Sequence, residues 1–361
     1  MSKVYRIGII GCGGIANGKH LPSLSKLKNI ELVAFCDIVV DRAEAAAKQY
    51  GTEDATVYTD YKELLKDRTI DIVHVLTPNE SHANISINAL EADKHVMCEK
   101  PMAKTAADAK RMVEAVKRTG KKLTIGYNNR FREDSLYLKK LCEAGELGHI
   151  YFAKAHAIRR RAVPTWGVFL DEEKQGGGPL IDIGTHALDL TLWMLDNYKP
   201  KVVLGTKYHE LSQKENAANA WGPWDPKKFT VEDSAFGMIV MENGATIMIE
   251  SSWALNSLDV DEAKCSLSGT EAGADMKNGL RINGEQHSRM YMKEIELNEG
   301  GVAFFDGKQE SAPDLEMRKW VEAIDEDKDP VVMPEQAYAV SLILEALYES
   351  ARTGKAIYLN E

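Results

Sequence analysis

The sequence predicts an α/β chain. A doubly wound parallel sheet fills its N-terminal third, and a separate α+β domain with a mixed, mostly antiparallel sheet follows. Strand-like and helix-like segments alternate up to residue 127, which is the pattern of parallel strands joined by crossover helices. A glycine loop ends the first strand and opens a helix. Beyond Asn129, strand-like runs succeed one another with turns between them, the pattern of an α+β domain. A chain of 361 residues is long enough for about two domains. The pattern divides it into 1–127, 128–330 and a C-terminal segment 331–361 whose helix packs back on the first domain.

The elements follow in order. "VYRIGIIG" is a β-branched run ending in glycine, "HLPSLSKLKN" a helix and "IELVAFCD" a second buried strand. Residues 41–50 are Ala-rich and helical, "DIVHVLTP" is a strand, and 79–92 is a helix with Asn79 and Glu80 suited to its first turn. "KHVMCEK", a helix over 105–119 and "KLTIGYN" complete the alternation. Near-continuous apolar strands of this kind are covered on both faces. In the second part, 134–144 and 179–195 read as helices. "HIYFAKAHAIR", "KVVLGTKYH", "DSAFGMIVM", "ATIMIESSW", "KCSLSG" and "RMYMKEIEL" read as strands. Glu242-Asn243-Gly244 marks a hairpin. Helices over 314–325 and 334–352 end the chain. A sheet of this size needs cover on its second face, and oligomerisation is one solution.

The formal charge of −10 argues against a nucleic-acid or anionic-membrane surface, since both need clustered Lys and Arg. The five cysteines, Cys12, Cys36, Cys98, Cys142 and Cys265, are odd in number and form no C-x-x-C. They suggest neither a disulfide framework nor a zinc cluster and fit a reducing compartment. Lys3 and Arg6 before Ile7-Gly8-Ile9-Ile10 imitate a signal peptide, but the run is short and glycine-broken and reads as the first strand. No stretch is long enough to span a bilayer. A cytoplasmic protein is expected.

The glycine loop reads Gly11-Cys12-Gly13-Gly14-Ile15-Ala16, with Asp37 at the end of the second strand. Strand, loop, helix and a following acid together make the dinucleotide fingerprint. Gly11 permits the tight turn, Gly13 lets the backbone approach a pyrophosphate, and Ala16 keeps the helix close to the sheet. The helix N-terminus offers N–H groups to the phosphates. Asp37 would accept hydrogen bonds from an adenosine ribose and repel a 2′-phosphate, and Ile38 stands where an arginine would be needed. NAD is therefore expected over NADP.

"HVMCEK" ends at the carboxyl edge of the parallel sheet, where such sheets bind ligands. Pro101 biases Lys100 toward an extended backbone, so the ammonium is held at the strand tip, where it can stabilise developing negative charge. In "GGGPLIDIGTHALDL", Asp182, His186 and Asp189 share a face of the predicted helix, and the glycines let the chain pass close to a ligand. The histidine can take a proton near neutral pH. Asp-x-x-x-His pairs also occur on surfaces and as metal ligands, but no nearby cluster completes a zinc site, and no metal is expected. Arg159, Arg160 and Arg161 are expected to alternate across a strand, so one face can enter a pocket; Arg160 and Trp166 are the candidates to meet substrate. Trp221 and Trp224 are either a platform for a sugar's C–H face or staples for a long loop.

Taken together, Gly11-x-Gly13-Gly14-Ile15-Ala16, Thr77-Pro78-Asn79 with His82, Glu99-Lys100-Pro101, Gly145-Glu-Leu-Gly148, and Gly176-Gly177-Gly178 with Asp182 and His186 resemble the Gfo/Idh/MocA oxidoreductases over nearly the whole chain. The resemblance implies an N-terminal Rossmann domain, a C-terminal domain with a large open sheet, and homodimers or homotetramers. It implies hydride transfer between NAD and a secondary hydroxyl of a sugar or cyclitol. Lys100 would bind the reacting oxygen, His186 would be the acid/base, and Asp182 would position both. Thr77, Pro78, Asn79, His82 and Glu99 would join Gly11, Gly13, Gly14, Ile15, Asp37 and Lys100 around the cofactor. Tyr127, Asn128 and Arg130 would enter the cleft toward substrate. Lys100 and His186 would converge over the nicotinamide. Two alternatives stay open within the fold: a glycosidase using NAD for transient oxidation, and a non-catalytic NAD-binding regulator.

Overall fold

The computed structural model describes residues 3–297 and 310–359 of the chain. They form two compact units, one of Met1–Asn128 with Glu310–Tyr338 and one of Asn129–Gln309 with Ala339–Glu361.

In the first unit the β-branched runs form a wholly parallel sheet: β1 (Tyr5–Ile10), β2 (Ile30–Cys36), β3 (Thr56–Tyr58), β4 (Ile72–Val75), β5 (His95–Cys98) and β6 (Leu123–Ile125). Among the described residues their order is β3-β2-β1-β4-β5-β6. The order reverses between β1 and β4, which makes that edge the crevice for a dinucleotide. The crossover helices have local causes. In the helix Ala106–Thr119, Thr105 accepts from the Asp108 N–H at the start, and Gly120 ends it at φ +68°. The helix Ala312–Asp325 places Met317, Trp320, Val321 and Ile324 at helical spacing into the core with Ile7, Ile9, Leu21 and Leu24. The division read from the sequence leaves this helix in the second domain and packs the helix of 331–361 back on the first; instead Ala339–Glu361 belongs to the second unit, and the helix Ala312–Asp325 to the first. Its apolar stripe has its partners in the first unit, beyond the reach of local pattern.

The second unit is built on a mixed sheet, ordered β14-β13-β12-β11-β7-β10-β9-β8-β15 among the described residues. Its strands are β7 (Ile150–Ile158), β8 (Pro200–Tyr208), β9 (Ser234–Met241), β10 (Thr246–Ser252), β11 (Asp261–Gly269), β12 (Ala272–Asp275), β13 (Arg281–Gln286), β14 (Arg289–Glu294) and β15 (Ile357–Tyr358). Among the described residues only β7 and β10 pair in parallel. The hairpin at Glu242-Asn243-Gly244 joins β9 to β10 with Gly244 at φ +88°. The short strands β3, β12, β13 and β15 escape the hydrophobic pattern, because they are short or carry small and polar residues. The expected continuation of β7 through three arginines does not form: the strand ends at Ile158, and Arg161 makes only an isolated bridge to Ala254.

One face of this sheet is covered by the helix Thr185–Leu195 and by the last turns of the helix Pro334–Thr353. Gly205 and Gly237 are cross-strand partners there, and a Cβ on Gly237 would come within 2.2 Å of Leu347 Cδ2. Two adjacent side chains are absent so that Leu347 can lie against the strands. The opposite face keeps Leu204, Tyr208 and Met248 exposed. Among the described residues no helix is long and apolar enough to cross a membrane.

Candidate active site

In the first unit the glycine loop has the geometry its sequence foretells. Gly11 sits at φ +95°, and a Cβ there would approach the Leu76 carbonyl oxygen to 2.6 Å. At Gly13 and Gly14 a Cβ would meet nothing within 4 Å, so open space lies in front of the loop. That space and the following helical turn at Ala16–His20 fit a pyrophosphate. Asp37 fixes the loop: its carboxylate accepts from the Cys12 N–H at 2.8 Å and the Val39 N–H at 2.9 Å. Each oxygen keeps a second lone pair for a ribose hydroxyl. Ile15 is exposed beside the loop. These residues fit NAD.

Lys100 is half-buried at the end of β5, and the Lys100–Pro101 peptide is cis. Glu99, expected at the cofactor, is committed elsewhere. Its Oε1 accepts from Lys19 Nζ at 2.7 Å and lies 2.9 Å from His20 Nε2, and its Oε2 accepts the Lys100 N–H at 3.1 Å. The second nitrogen of His20 lies 3.0 Å from His74 Nδ1. Burial pushes both histidines down, so neutral rings are assigned: His74 donates to His20, and His20 donates to Glu99. Burial would raise Glu99, but Lys19 and His20 hold it well below the usual carboxylate range. Lys19 Nζ also lies 3.0 Å from Glu316 Oε2 on the helix Ala312–Asp325. One buried ammonium cannot fully neutralise two carboxylates. Burial, reinforced by Glu99 and opposed by Lys19, leaves Glu316 pushed up to about 7. Glu99 is thus a buried anchor of the Lys100 backbone.

His82 is likewise a latch. Its buried ring places Nδ1 2.8 Å from the Pro101 carbonyl and Nε2 2.7 Å from the Thr77 carbonyl, tying the loop of Thr77, Pro78 and Asn79 to the cis-proline turn. Both ring nitrogens are engaged with the backbone, so His82 shapes the loop and offers neither to a cofactor. Ser81 Oγ donates to Thr77 Oγ1 at 2.7 Å and closes the same turn. Tyr127 is 0% exposed and packs in the interior instead of meeting substrate.

In the second unit Asp182 lies in a π-helical turn, Leu180–Gly184, that leads into the helix Thr185–Leu195 carrying His186. Such widened turns recur at functional sites. Asp182 Oδ2 accepts the indole N–H of fully buried Trp253 at 3.1 Å, while His186 is half-exposed. The turn is anchored by Glu232, which accepts from the Gly178 N–H at 2.9 Å, the Leu180 N–H at 3.2 Å and the Tyr348 hydroxyl at 2.9 Å. The glycine triplet serves this anchor and not a ligand. A Cβ on Gly177 would meet Tyr348 Oη at 2.1 Å, and one on Gly178 the Glu232 carbonyl at 2.1 Å. Neither Glu232 nor Trp253 carries a sequence signature.

One further expectation is corrected here. Arg130 and Asp189 are 0% and 1% exposed in their side chains and form a two-bond pair at 2.9 and 2.6 Å, with Arg130 over the Trp193 ring. Removing one partner of such a pair strands a buried charge; Arg130 is a strut and does not reach substrate. Of the three arginines, Arg159 is held by two bonds to Glu262, Arg161 bonds Asn256, and Arg160 is exposed. The tryptophans divide: Trp224 is buried with its N–H on the Ser212 carbonyl, a staple, whereas Trp166 and Trp221 are exposed.

Three comparisons bear on this geometry. Residues 5–127 match the profile of an oxidoreductase family with an NAD-binding Rossmann fold, and residues 139–359 match the C-terminal α/β domain of the same family. D-glucoside 3-dehydrogenase of Escherichia coli K12 is 35% identical over 99% of this chain and 98% of its own. Inositol 2-dehydrogenase of Salmonella typhimurium is 34% identical over 54% of this chain and 56% of its own. An oxidoreductase domain protein from Kribbella flavida superposes at a TM-score of 0.83 with 25% identity, covering 100% of both chains.

The shift at Glu316 sets a pH dependence. Its pKa in the fold is about 7, above the unfolded value near 4.5, so the fold binds the extra proton between those limits. That stabilisation is full below the unfolded pKa and is lost as pH rises to 7 and above, by about 3 kcal/mol if uncoupled. Glu316→Gln is permanently neutral, so thermal melts between pH 5 and 8 should show a smaller fall in Tm for the variant than for the native chain. Equal falls would contradict the assignment.

Proposed function

This chain belongs to the Gfo/Idh/MocA oxidoreductases, and on that premise we propose that it oxidises a secondary hydroxyl of a glucoside or related sugar. It is an NAD-dependent dehydrogenase. The observation that carries the substrate reading is the aimed carboxylate of Asp182. It is fixed by the Trp253 N–H and the Glu232 anchor, four residues before half-exposed His186. Likeness to a glucoside dehydrogenase along nearly both whole chains supports it.

NAD, when bound, accepts the carbinol hydride. His186 takes the hydroxyl proton, which leaves a ketone. Lys100 binds the reacting oxygen and favours its alkoxide character as the proton departs. Asp182 orients the hydroxyl and the imidazole. Gly11, Gly13, Gly14 and Ile15 would line the pyrophosphate, and Asp37 would take the ribose hydroxyls in preference to a 2′-phosphate. Thr77, Pro78 and Asn79, in the loop shaped by His82, would hold the nicotinamide end.

A homo-oligomer is assigned to the uncovered face of the mixed sheet, with a second copy as its occupant. The chain carries −10, which opposes self-association, yet on this face Glu250 is paired with His156, and Lys154 lies in the same row. A cytoplasmic setting fits the five free cysteines, four of them buried.

Purified protein with NAD should accumulate free NADH with methyl glucoside more readily than with myo-inositol. A glycosidase with transient oxidation, or a regulator, would release none. Lys100→Ala and His186→Ala should each lower kcat roughly 100-fold or more while NAD still binds; near-native turnover in both would remove these roles. Leu204→Glu should reduce the mass measured by light scattering, and an unchanged mass would dismiss this face as the interface.

A further inference from the structure

Two tryptophans of the second unit are exposed and yet rigidly held. Trp166 is 52% and Trp221 44% exposed, and their rings meet edge to face at 5.0 Å. The segments that carry them are stitched together. Asn219 Oδ1 accepts the Val163 N–H at 2.8 Å, and its amide donates to the Val163 and Gly222 carbonyls at 2.9 and 2.7 Å. Thr165 Oγ1 donates to the Trp221 carbonyl at 2.8 Å, and the Ala220 N–H to the Arg161 carbonyl at 3.1 Å. Arg159, clamped by Glu262, places its guanidinium 5.3 Å from the Trp221 ring centre. Large apolar side chains left in water and fixed in advance lose little entropy when a ligand covers them.

The pair is connected to the reacting residues by rings alone. Trp166 meets Phe169 at 6.0 Å, Phe169 meets Trp253 at 6.3 Å, and Trp253 donates to Asp182. An aromatic wall therefore runs from the carboxylate that orients the hydroxyl out to the solvent. A free monosaccharide or cyclitol at Asp182 has no need of its outer end.

We propose that Trp166 and Trp221 form a second-ring subsite, which holds the aglycone or adjoining sugar of a glycoside while the glycosyl ring lies at Asp182 and His186. The proposal rests on the sugar-dehydrogenase reading above. The stacked partner is an apolar face, either the C–H face of a pyranose or an aromatic ring. The substrate is thus a glycoside with a ring-bearing aglycone, and the product a keto-glycoside with its glycosidic bond intact.

The test compares phenyl glucoside and cellobiose with methyl glucoside of matching anomeric configuration, reading kcat/KM from NADH formation. In the native enzyme the ring-bearing glycosides should be preferred. Trp221→Ala and, separately, Trp166→Ala should lower that preference about tenfold, roughly the worth of one aromatic contact, and Trp221→Phe should keep most of it. Two independent variants guard against one that fails to fold. Turnover of glycosides with the preference unchanged in both alanine variants would overturn the subsite and spare the dehydrogenase reading. Unchanged preference with a reduced mass by light scattering would assign the pair to a subunit contact instead. No NADH from any glycoside would bring down both.

Discussion

The placement of Lys100 depends on a buried carboxylate. Glu99 lies buried behind the strand tip and gathers Lys19, His20 and the Lys100 N–H. A buried anion is tolerated only when its lone pairs are filled, so the fold has placed donors on the first helix and at the strand end itself. The constraint reaches further. Lys19 must also face Glu316, which makes the helix Ala312–Asp325 part of the same polar core. Lysine, proline turn, latch histidine and C-terminal helix are therefore solved together.

The second unit repeats the logic with different parts. Glu232 holds the turn that bears Asp182 through two backbone N–H groups and Tyr348. Two glycines are present because their missing Cβ atoms leave room for that anchor. Trp253 adds a single directed N–H to the carboxylate. In both units a buried glutamate positions the residue to which chemistry is assigned, and rigid support of this kind is what holds reacting groups in productive geometry.

The legible parts of the chain were those with local causes. Alternating strands and helices, the loop at Gly11 and the hairpin at Gly244 each follow from neighbours within a few positions. Asp37 and the Lys100–Pro101 strand end were readable for the same reason. What escaped depends on contacts between residues far apart in the chain. Glu316 looked like any helix glutamate, and Trp253 like the end of a strand. Tyr127 and Arg130, which the family resemblance set in a binding cleft, are interior. Glu99 and His82 stand in recognisable motifs, yet their work is structural. The glycine triplet signalled close approach correctly and misdirected only the partner, since sequence shows that space is needed and not for whom.

The π-helical turn at Leu180–Gly184 has a consequence for anyone who would make the protein sturdier. A widened turn is a surplus residue in helical register, and ordinary stabilising redesign would trim it toward ideal geometry. Deleting that surplus would swing every side chain on one flank by about 100° around the helix axis. Asp182 would then face away from the indole that holds it. Hardiness and the hold on Asp182 make opposite demands on this one turn, so protein engineering should leave it irregular and seek its gains elsewhere.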